Sequence, residues 1–341
     1  MSMNAAVFDG PGLPLRIAQV DSPVAQAGEL LLRVARCGVC GNDMQATAAG
    51  SPLGAGAVIG HEFCGTVIAV GASVTGWAAA DRVVAMPFVG CGTCAECQAG
   101  RPIWCRAMRS HAFGQVSGGF GEIVAVAARN TVKLPDHMTW DQAALVEPLA
   151  VGLHGLRRAG LENGARVLVL GAGPVGLSTA LWAKAFGASH VAVAAPSAHK
   201  ADLAAQLGLD HFLVLEGDVR AAFRARAGGP IDVVLECSGA PGALQNAIAL
   251  VRPRGAIGVV AGCGAPDPVR PKEALRKELS LFFSLAYGLD DFRESVAHIA
   301  NGDIDPLAMI TARVGLAGFP AAFEGLRTPG HQCKVLLCHE T

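Results

Sequence analysis

Charge is scarce in this chain. Asp, Glu, Lys and Arg make up 16% of 341 residues against 52% hydrophobic, and the formal net charge is −1. That balance excludes a disordered or fibrous chain and points to a well-buried globular enzyme. No long run of Lys or Arg occurs, so the electrostatic footprint of a nucleic-acid or anionic-membrane partner is missing. Residues 1–15 hold neither a basic nor an apolar leader segment, which makes a cytoplasmic location the expectation. The one membrane-like stretch, 167–183, carries no charge. It is marginally short for a span and contains Pro174 and three glycines at dinucleotide spacing, so a buried strand followed by a buried helix explains it better. Internal repeats and low-complexity linkers are absent too. Eleven cysteines are present, and in a cytoplasmic chain they argue against a disulfide framework and for metal binding plus ordinary buried thiols.

The length calls for two domains. From residue 1 to about 147, short β-like runs (5–8, 30–35, 66–70, 82–85, 122–126 and 131–134) alternate with Gly and Pro turns, the rhythm of an all-β body. From about 149 to 289 the pattern changes to alternating strands and helices. The runs 167–170, 191–194, 212–215, 233–236, 256–260 and 279–284 are almost continuously apolar, as a parallel sheet covered on both faces requires. Helix-like stretches include 177–186, 198–207 and 242–251. The last fifty residues hold an amphipathic segment near 292–300 and a final strand at 334–337, and this tail is expected to complete the first domain. The expected fold is thus α/β in class, with domains at 1–148, 149–290 and a return at 291–341.

The strand at 167–170 runs straight into Gly171-Ala172-Gly173-Pro174-Val175-Gly176. G-x-G-x-x-G between a strand and a helix is the dinucleotide-binding pattern. Gly171 permits the turn, Gly173 lets the backbone approach a pyrophosphate, and Gly176 lets helix and strand pack closely. Phosphates then lie at a helix N-terminus, where free N–H groups and the macrodipole favour negative charge.

Cys91-x-x-Cys94-x-x-Cys97 followed by Cys105 is the most specific metal signal. Four thiolates from one loop match a closed tetrahedral zinc site of the structural kind, while the spacing to Cys105 and Arg106 after it depart from the ferredoxin run. A second, open site can be assembled from Cys40, His61 and a glutamate, Glu62 or Glu147, three protein ligands that leave one position for water or substrate. Two anionic ligands would balance the dication and leave a Lewis acid. Taken singly, each of these residues also has an ordinary reading: a small core thiol, a satisfied hydrogen-bonder, a Glu-Pro turn.

With Gly38-Val39-Cys40-Gly41-x-Asp43, Gly60-His61-Glu62, the Cys91/94/97/105 lobe, Val146-Glu147-Pro148 through His154 and the glycine turn in this order, the chain resembles the zinc-dependent medium-chain dehydrogenases. The sorbitol and butanediol branch is nearest. The resemblance implies a GroES-like β-rich catalytic domain plus a Rossmann domain, two zinc ions, a nicotinamide cofactor, an alcohol or ketone substrate and a dimer or tetramer. It implies Cys40 and His61 as ligands of the catalytic zinc, with Glu62 and Glu147 both candidates for the third protein position. Cys37 is left out, and Asp43 becomes the carboxylate that orients His61.

Two absences set this chain apart from the family. Asn42 replaces a Ser or Thr, and Gln45 a relay His, so neither side chain passes a proton as a hydroxyl or imidazole would. At the end of the strand at 191–194, Ala195 stands where an Asp or Glu roughly 20 residues past the glycines would hold the ribose diol. Ser197, His199 and Lys200 follow, and the missing acid favours NADP(H) over NAD(H). Cys237 and Ser238, at the end of another parallel strand, are expected beside the cofactor. Tyr287 and Trp104 could line a substrate pocket or simply pack, and Cys64, Cys263, Cys333 and Cys338 read as plain thiols. The apolar run 281–285 could pair with a second copy as a sheet edge. The leading reading is therefore a zinc-dependent alcohol or polyol dehydrogenase. The alternatives are a reductase of activated C=C bonds, favoured by Asn42 and Gln45, and a non-catalytic cofactor-binding protein.

Overall fold

The alternation of β-branched runs with turn residues in the first third of the chain gives strands, and the alternating rhythm of the middle third gives a parallel sheet. The computed structural model describes residues 2–51, 53–209, 211–328 and 330–339. It divides into two units, one made of residues 1–147, 288–300 and 310–341, the other of residues 148–287 and 301–309.

The first unit opens with an antiparallel hairpin, β1 (Ser2–Val7) and β2 (Arg16–Asp21). Next come β3 (Glu29–Gly38), the short helix α1 (Gly41–Ala46) and β4 (Glu62–Val70). The rest is β5 (Arg82–Ala85), β6 (Phe88–Val89), α2 (Ala95–Gln98), β7 (Arg109–Ser110), β8 (Ile123–Ala127), β9 (Thr131–Lys133) and α3 (Trp140–Ala144). The spine is β3, which pairs antiparallel with both β4 and β8. The β-like run at 66–70 covers only the second half of β4. In the fold Gly65 lies inside the strand, where a Cβ would collide with the backbone of Arg33 on β3. Glycine here permits close approach and does not end the strand.

Helix α4 (Val146–Ala159) follows. Glu147-Pro148, which read as a turn, form its first turn, where Pro has no intrahelical N–H to lose. The second unit then runs β10 (Arg166–Leu170), α5 (Pro174–Ala185), β11 (His190–Ala195), α6 (Ala201–Gln206), β12 (His211–Val214), α7 (Val219–Ala227), β13 (Val233–Glu236), α8 (Ala243–Leu250), β14 (Ala256–Val259), α9 (Pro271–Lys277) and β15 (Ser280–Phe283). Its six strands are all parallel, in the order β12-β11-β10-β13-β14-β15. That is the doubly wound order with its crossing point between β10 and β13, where ligands bind at the carboxyl ends of the strands. Leu168, Leu170, Ala194, Phe223, Val234 and Ile257 form the core. Trp182 of α5 is buried and donates its indole N–H to the Leu149 carbonyl of α4 at 2.8 Å.

The chain returns to the first unit with α10 (Leu289–Ala300), β16 (Ile310–Gly315), α11 (Phe319–Gly325) and β17 (Lys334–Cys338). Strand β17 inserts between β16 and β3, with Leu337 opposite Cys37. Phe319 and Phe323, four residues apart on α11, stack on one face and meet Phe120 edge-on, at centroid distances of 4.7 and 6.0 Å. Full burial of each such ring is worth about 1.5–3 kcal/mol. Among the described residues no helix is long and apolar enough to cross a membrane.

Candidate metal and cofactor sites

In the cysteine lobe, Cys94 caps α2, which carries Cys97, and the Sγ atoms of Cys91, Cys94, Cys97 and Cys105 all lie within 4.8 Å of one another. Gly92 takes a φ of +79°, the left-handed bend that lets the loop fold back on itself. The Cys91 sulfur accepts from the Cys94 amide at 3.4 Å and from the Thr93 hydroxyl at 3.6 Å. Donors from Thr93 and then Cys94 hold its thiol down to about 5, whereas burial pushes Cys97 up to about 12. Four sulfurs so gathered fit a tetrahedral zinc.

A second cluster forms where β3, α1 and β4 meet. Cys40 is the N-cap of α1, Glu62 opens β4 and His61 immediately precedes it. The donor atoms of Cys40, His61 and Glu62 lie within 4.8 Å of one another, and His61 and Glu62 are buried. Gly60, just before them, has φ +104°, and a Cβ there would press into the Phe120 ring, so the turn that aims His61 inward is open to glycine alone. Asp43, one turn into α1 and fully buried, is the organiser. Its Oδ2 accepts the Cys40 amide at 2.9 Å, and its Oδ1 lies 3.1 Å from His61 Nδ1. Burial works against a charge on His61, but Asp43 and then Cys40 raise its basicity well above the ordinary value. The carboxylate leaves the other ring nitrogen, Nε2, to a metal. A thiolate, an imidazole and a carboxylate are a donor set that suits zinc.

Glu147 is buried in the first turn of α4 but is not one of the donors gathered within 4.8 Å. Cys37 is likewise outside the group; its thiol is directed to the Gly38 carbonyl at 3.6 Å, and burial keeps it protonated. Asn42 and Gln45 lie on the exposed side of α1. Trp104 is largely exposed on the cysteine lobe, and Tyr287 is buried. Lys334, a residue that the sequence pattern passed over, lies at the heart of the cluster. Its Nζ is 2.6 and 2.5 Å from the two oxygens of Glu62 and donates to the Val39 carbonyl at 3.0 Å. The available signal was a lysine heading a strand otherwise made of Val, Leu and Cys.

In the second unit the glycine turn has the geometry that its spacing implies. Gly171 has φ +108°, and a Cβ on Gly176 would strike the Gly171 carbonyl, while Gly173, the N-cap of α5, faces open space. A phosphate can reach the backbone only at such a position. A cavity of about 650 Å³ lies against this turn, lined by Gly171, Pro196, Leu215, Arg220, Ser238 and Asn246 among others. Ala195 is buried at the end of β11 and offers no carboxylate there, while Asp218 and Arg220 both line the cavity. Ser197, His199 and Lys200 do not line the cavity. Lys200 is the N-cap of α6, and no side chain caps that helix.

At the end of β13 the buried Glu236 accepts from the Ser238 amide, the Ser238 hydroxyl and the Gly239 amide at 2.7, 2.6 and 3.0 Å, which fixes the loop under the cavity. Cys237 points the other way, its thiol on Thr179 Oγ1 at 3.6 Å and pushed up to about 12 by burial. It packs against α5 and is not among the cavity-lining residues.

A doubly wound sheet with this turn, joined to a β-rich unit of the GroES-like kind, defines a nicotinamide-dependent alcohol oxidoreductase of two domains. Two family profiles match, "Zinc-binding dehydrogenase" over residues 174–301 and "Alcohol dehydrogenase GroES-like domain" over residues 26–136. The chain is 33% identical to 2-dehydro-3-deoxy-L-galactonate 5-dehydrogenase of Pseudoalteromonas atlantica, over 92% of each. It is 29% identical to sorbitol dehydrogenase of Bacillus subtilis, over 98% of this chain and 97% of the relative. A Sinorhizobium meliloti 1021 protein assigned as a zinc-binding dehydrogenase, solved bound to NADP, superposes with a TM-score of 0.88 at 29% identity, covering 99% of each chain. The chain belongs to the zinc-dependent alcohol dehydrogenase family of medium-chain dehydrogenases.

Proposed function

We propose that this enzyme is a zinc-dependent dehydrogenase of secondary alcohols or polyols, working with NADP(H) and reducing the matching ketones when NADPH is in excess. The observation that carries the metal part is the gathering of Cys40, His61 and Glu62 around the buried carboxylate of Asp43. Cys40, His61 and Glu62 would hold the catalytic zinc, with Glu147 as the other candidate carboxylate, and the four lobe cysteines would hold a structural one. When bound, the metal supplies a Lewis acid for the substrate oxygen and the nicotinamide a hydride acceptor at C4.

The chain's own residues do the rest. Asp43 fixes the His61 tautomer and braces the Cys40 backbone. Gly173 leaves room for the pyrophosphate, and Glu236 holds the Ser238 loop beneath the cofactor. Asn42 can offer the substrate hydroxyl a hydrogen bond but has no basic group to take its proton, so water carries the proton away. A second reading, hydride delivery to an activated C=C bond, draws on that same Asn42 and on Gln45, since such a reaction needs no hydroxyl relay.

Preference for NADP(H) is supported by Ala195, which puts no negative charge against a 2′-phosphate, and by Arg220, the cation that lines the cavity. A homo-oligomer is supported by β15, an outermost strand on which Leu281 and Phe283 are 41% and 62% exposed. Zinc analysis tests the metal assignment. The purified enzyme should hold two zinc ions, and Cys40→Ser should lose one of them together with turnover; unchanged zinc content in that variant would defeat the proposal.

A further inference from the structure

We propose that the second unit holds an anion site beside the cofactor cavity, fitted to a polyphosphate group, and that its occupant draws Arg220 away from the 2′-phosphate of NADP(H). The second half rests on the reading of Arg220 as the partner of that phosphate. The site is a cavity of about 500 Å³ between α7, the end of α8 and the end of α9. Arg220, Arg224, Arg252 and Lys277 line it against a single carboxylate, Asp218. That carboxylate is already engaged, because it caps α7 by accepting the Ala221 amide at 3.0 Å.

Two of the four cations are committed to the fold. Lys277 Nζ donates to the carbonyls of Ile248, Ala249 and Val251 at 2.7, 2.8 and 2.8 Å, which closes the C-terminus of α8. Arg252 gives Nε to Asp232 and Nη1 to the Pro253 carbonyl. Arg220 and Arg224 make no hydrogen bond or ion pair among the described residues. Their placement runs against local preference. They stand four apart on one face of α7, where like charges repel, and Arg220 lies in the first turn, at the positive end of the helix dipole. Burial and then the Arg220 charge lower the basicity of Lys277, so the cations also act on one another across the cavity. Residues that break local rules with no partner in the fold are expected at functional sites, and here the missing partner is negative.

A phosphate chain meets this demand. Forked guanidinium groups bind phosphate oxygens through paired N–H bonds. Side chains four apart on a helix have Cβ atoms about 5–6 Å from one another, so a chain of phosphates can engage Arg220 and Arg224 together. Arg220 and Asp218 line the cofactor cavity as well, and the two cavities thus share the first turn of α7. One guanidinium cannot serve both anions fully. A bound polyphosphate therefore weakens NADPH and leaves NADH, which has no 2′-phosphate, nearly unaffected. By reciprocity NADPH weakens the polyphosphate by the same factor.

The experiment is calorimetric titration of inorganic pyrophosphate into the whole enzyme at fixed ionic strength, followed by cofactor kinetics with and without it. Pyrophosphate should bind saturably, and Arg224→Ala should weaken it about tenfold or more, as loss of a charge-assisted contact predicts. Saturating pyrophosphate should raise the KM for NADPH about fivefold or more and change that for NADH less than about twofold. Without pyrophosphate, Arg224→Ala should keep the parent's KM for NADPH, since Arg224 does not line the cofactor cavity, and it should lose the response. Tripolyphosphate and ATP as further titrants tell the sources apart. ATP that binds more tightly than tripolyphosphate, with that binding lost in Arg224→Ala, identifies a nucleotide; ATP that binds no more tightly identifies a free polyphosphate.

No saturable binding, or inhibition that survives Arg224→Ala, would overturn the proposal, because pyrophosphate would then act in the cofactor cavity itself. An effect that sodium chloride reproduces at equal ionic strength is screening alone and overturns it too. The two levels separate. Equal kcat/KM for both cofactors in the parent would remove the 2′-phosphate role of Arg220, while pyrophosphate binding that depends on Arg224 would still establish the site. A preference for NADPH without pyrophosphate binding would remove the anion site alone.

Discussion

Asp43 Oδ1 lies 3.1 Å from His61 Nδ1, with both side chains buried, and this one contact decides which imidazole nitrogen would be left to the proposed metal. Because Oδ2 of the same carboxylate accepts the Cys40 amide, two proposed ligands hang from one side chain. Asp43→Asn keeps the shape but can present an N–H where the carboxylate accepted a hydrogen bond. It should weaken zinc binding at the Cys40 site about 10–100-fold, as loss of such an outer partner does elsewhere. Zinc titration of the variant checks this, and the lobe zinc should be unaffected.

Cofactor choice should follow two positions in the second unit. Ala195→Asp places a carboxylate at the end of β11, where it can accept from a ribose diol and repel a 2′-phosphate. The ratio of kcat/KM for NADPH over NADH should fall at least about tenfold. Arg220→Ala should weaken NADPH binding and leave NADH nearly unchanged, whereas Lys200→Ala, outside the cavity, should do little to either. A parent enzyme with equal kcat/KM for both cofactors would end the NADP(H) reading before either variant is made.

Stability at low pH should depend on Asp232. Its carboxylate receives Arg166 Nε at 2.8 Å and Arg252 Nε at 2.5 Å, with its side chain 12% exposed. Burial opposes ionisation, but Arg166 and then Arg252 outweigh it and bring the group down to about 2. A folded-state value below the unfolded one means that the contribution is complete above about pH 4 and is lost as the pH falls towards 2. Asp232→Asn should cost about 1–2 kcal/mol at neutral pH, and the gap to the parent should close over that acid window in urea unfolding.

Association should run through β15. Its Phe283 is 62% exposed at the edge of a parallel sheet, a position where an unpaired strand invites another. Phe283→Asp is expected to shift the mass measured by light scattering towards the monomer, with zinc content unchanged. An unshifted mass would place the interface elsewhere.

What the sequence made legible was local. The glycine turn, the lobe cysteines and the apolar strands of the parallel sheet each lie within a few dozen residues and carry their own spacing rules. The pairing of Cys40 with His61 became expected only through family resemblance, because no periodicity links a helix cap to the residue that precedes a later strand. Lys334 escaped altogether. It stands 272 residues from Glu62, and only the return of β17 beside β3 brings the two together. Arg220, the cation proposed for a 2′-phosphate, escaped for a related reason: the residues after Ala195 follow on from β11, while Arg220 comes from α7, beyond the neighbouring strand β12. The apolar run at 66–70 marked only part of β4, and Glu147-Pro148 had a turn as its ordinary reading, since a glycine and a proline commonly act as breakers. Tertiary approach at Gly65 and the first turn of α4 made them fitting residues.

The measurement that bears most directly on the central claim is NADPH oxidation by the zinc-loaded enzyme against a mixed panel of ketones, aldehydes and enals, with products identified by NMR. Reduction of carbonyls to alcohols is the predicted result, and it would show that water serves in place of the relay that Asn42 and Gln45 lack. Saturation of the enal C=C bond with its carbonyl left intact would contradict the account.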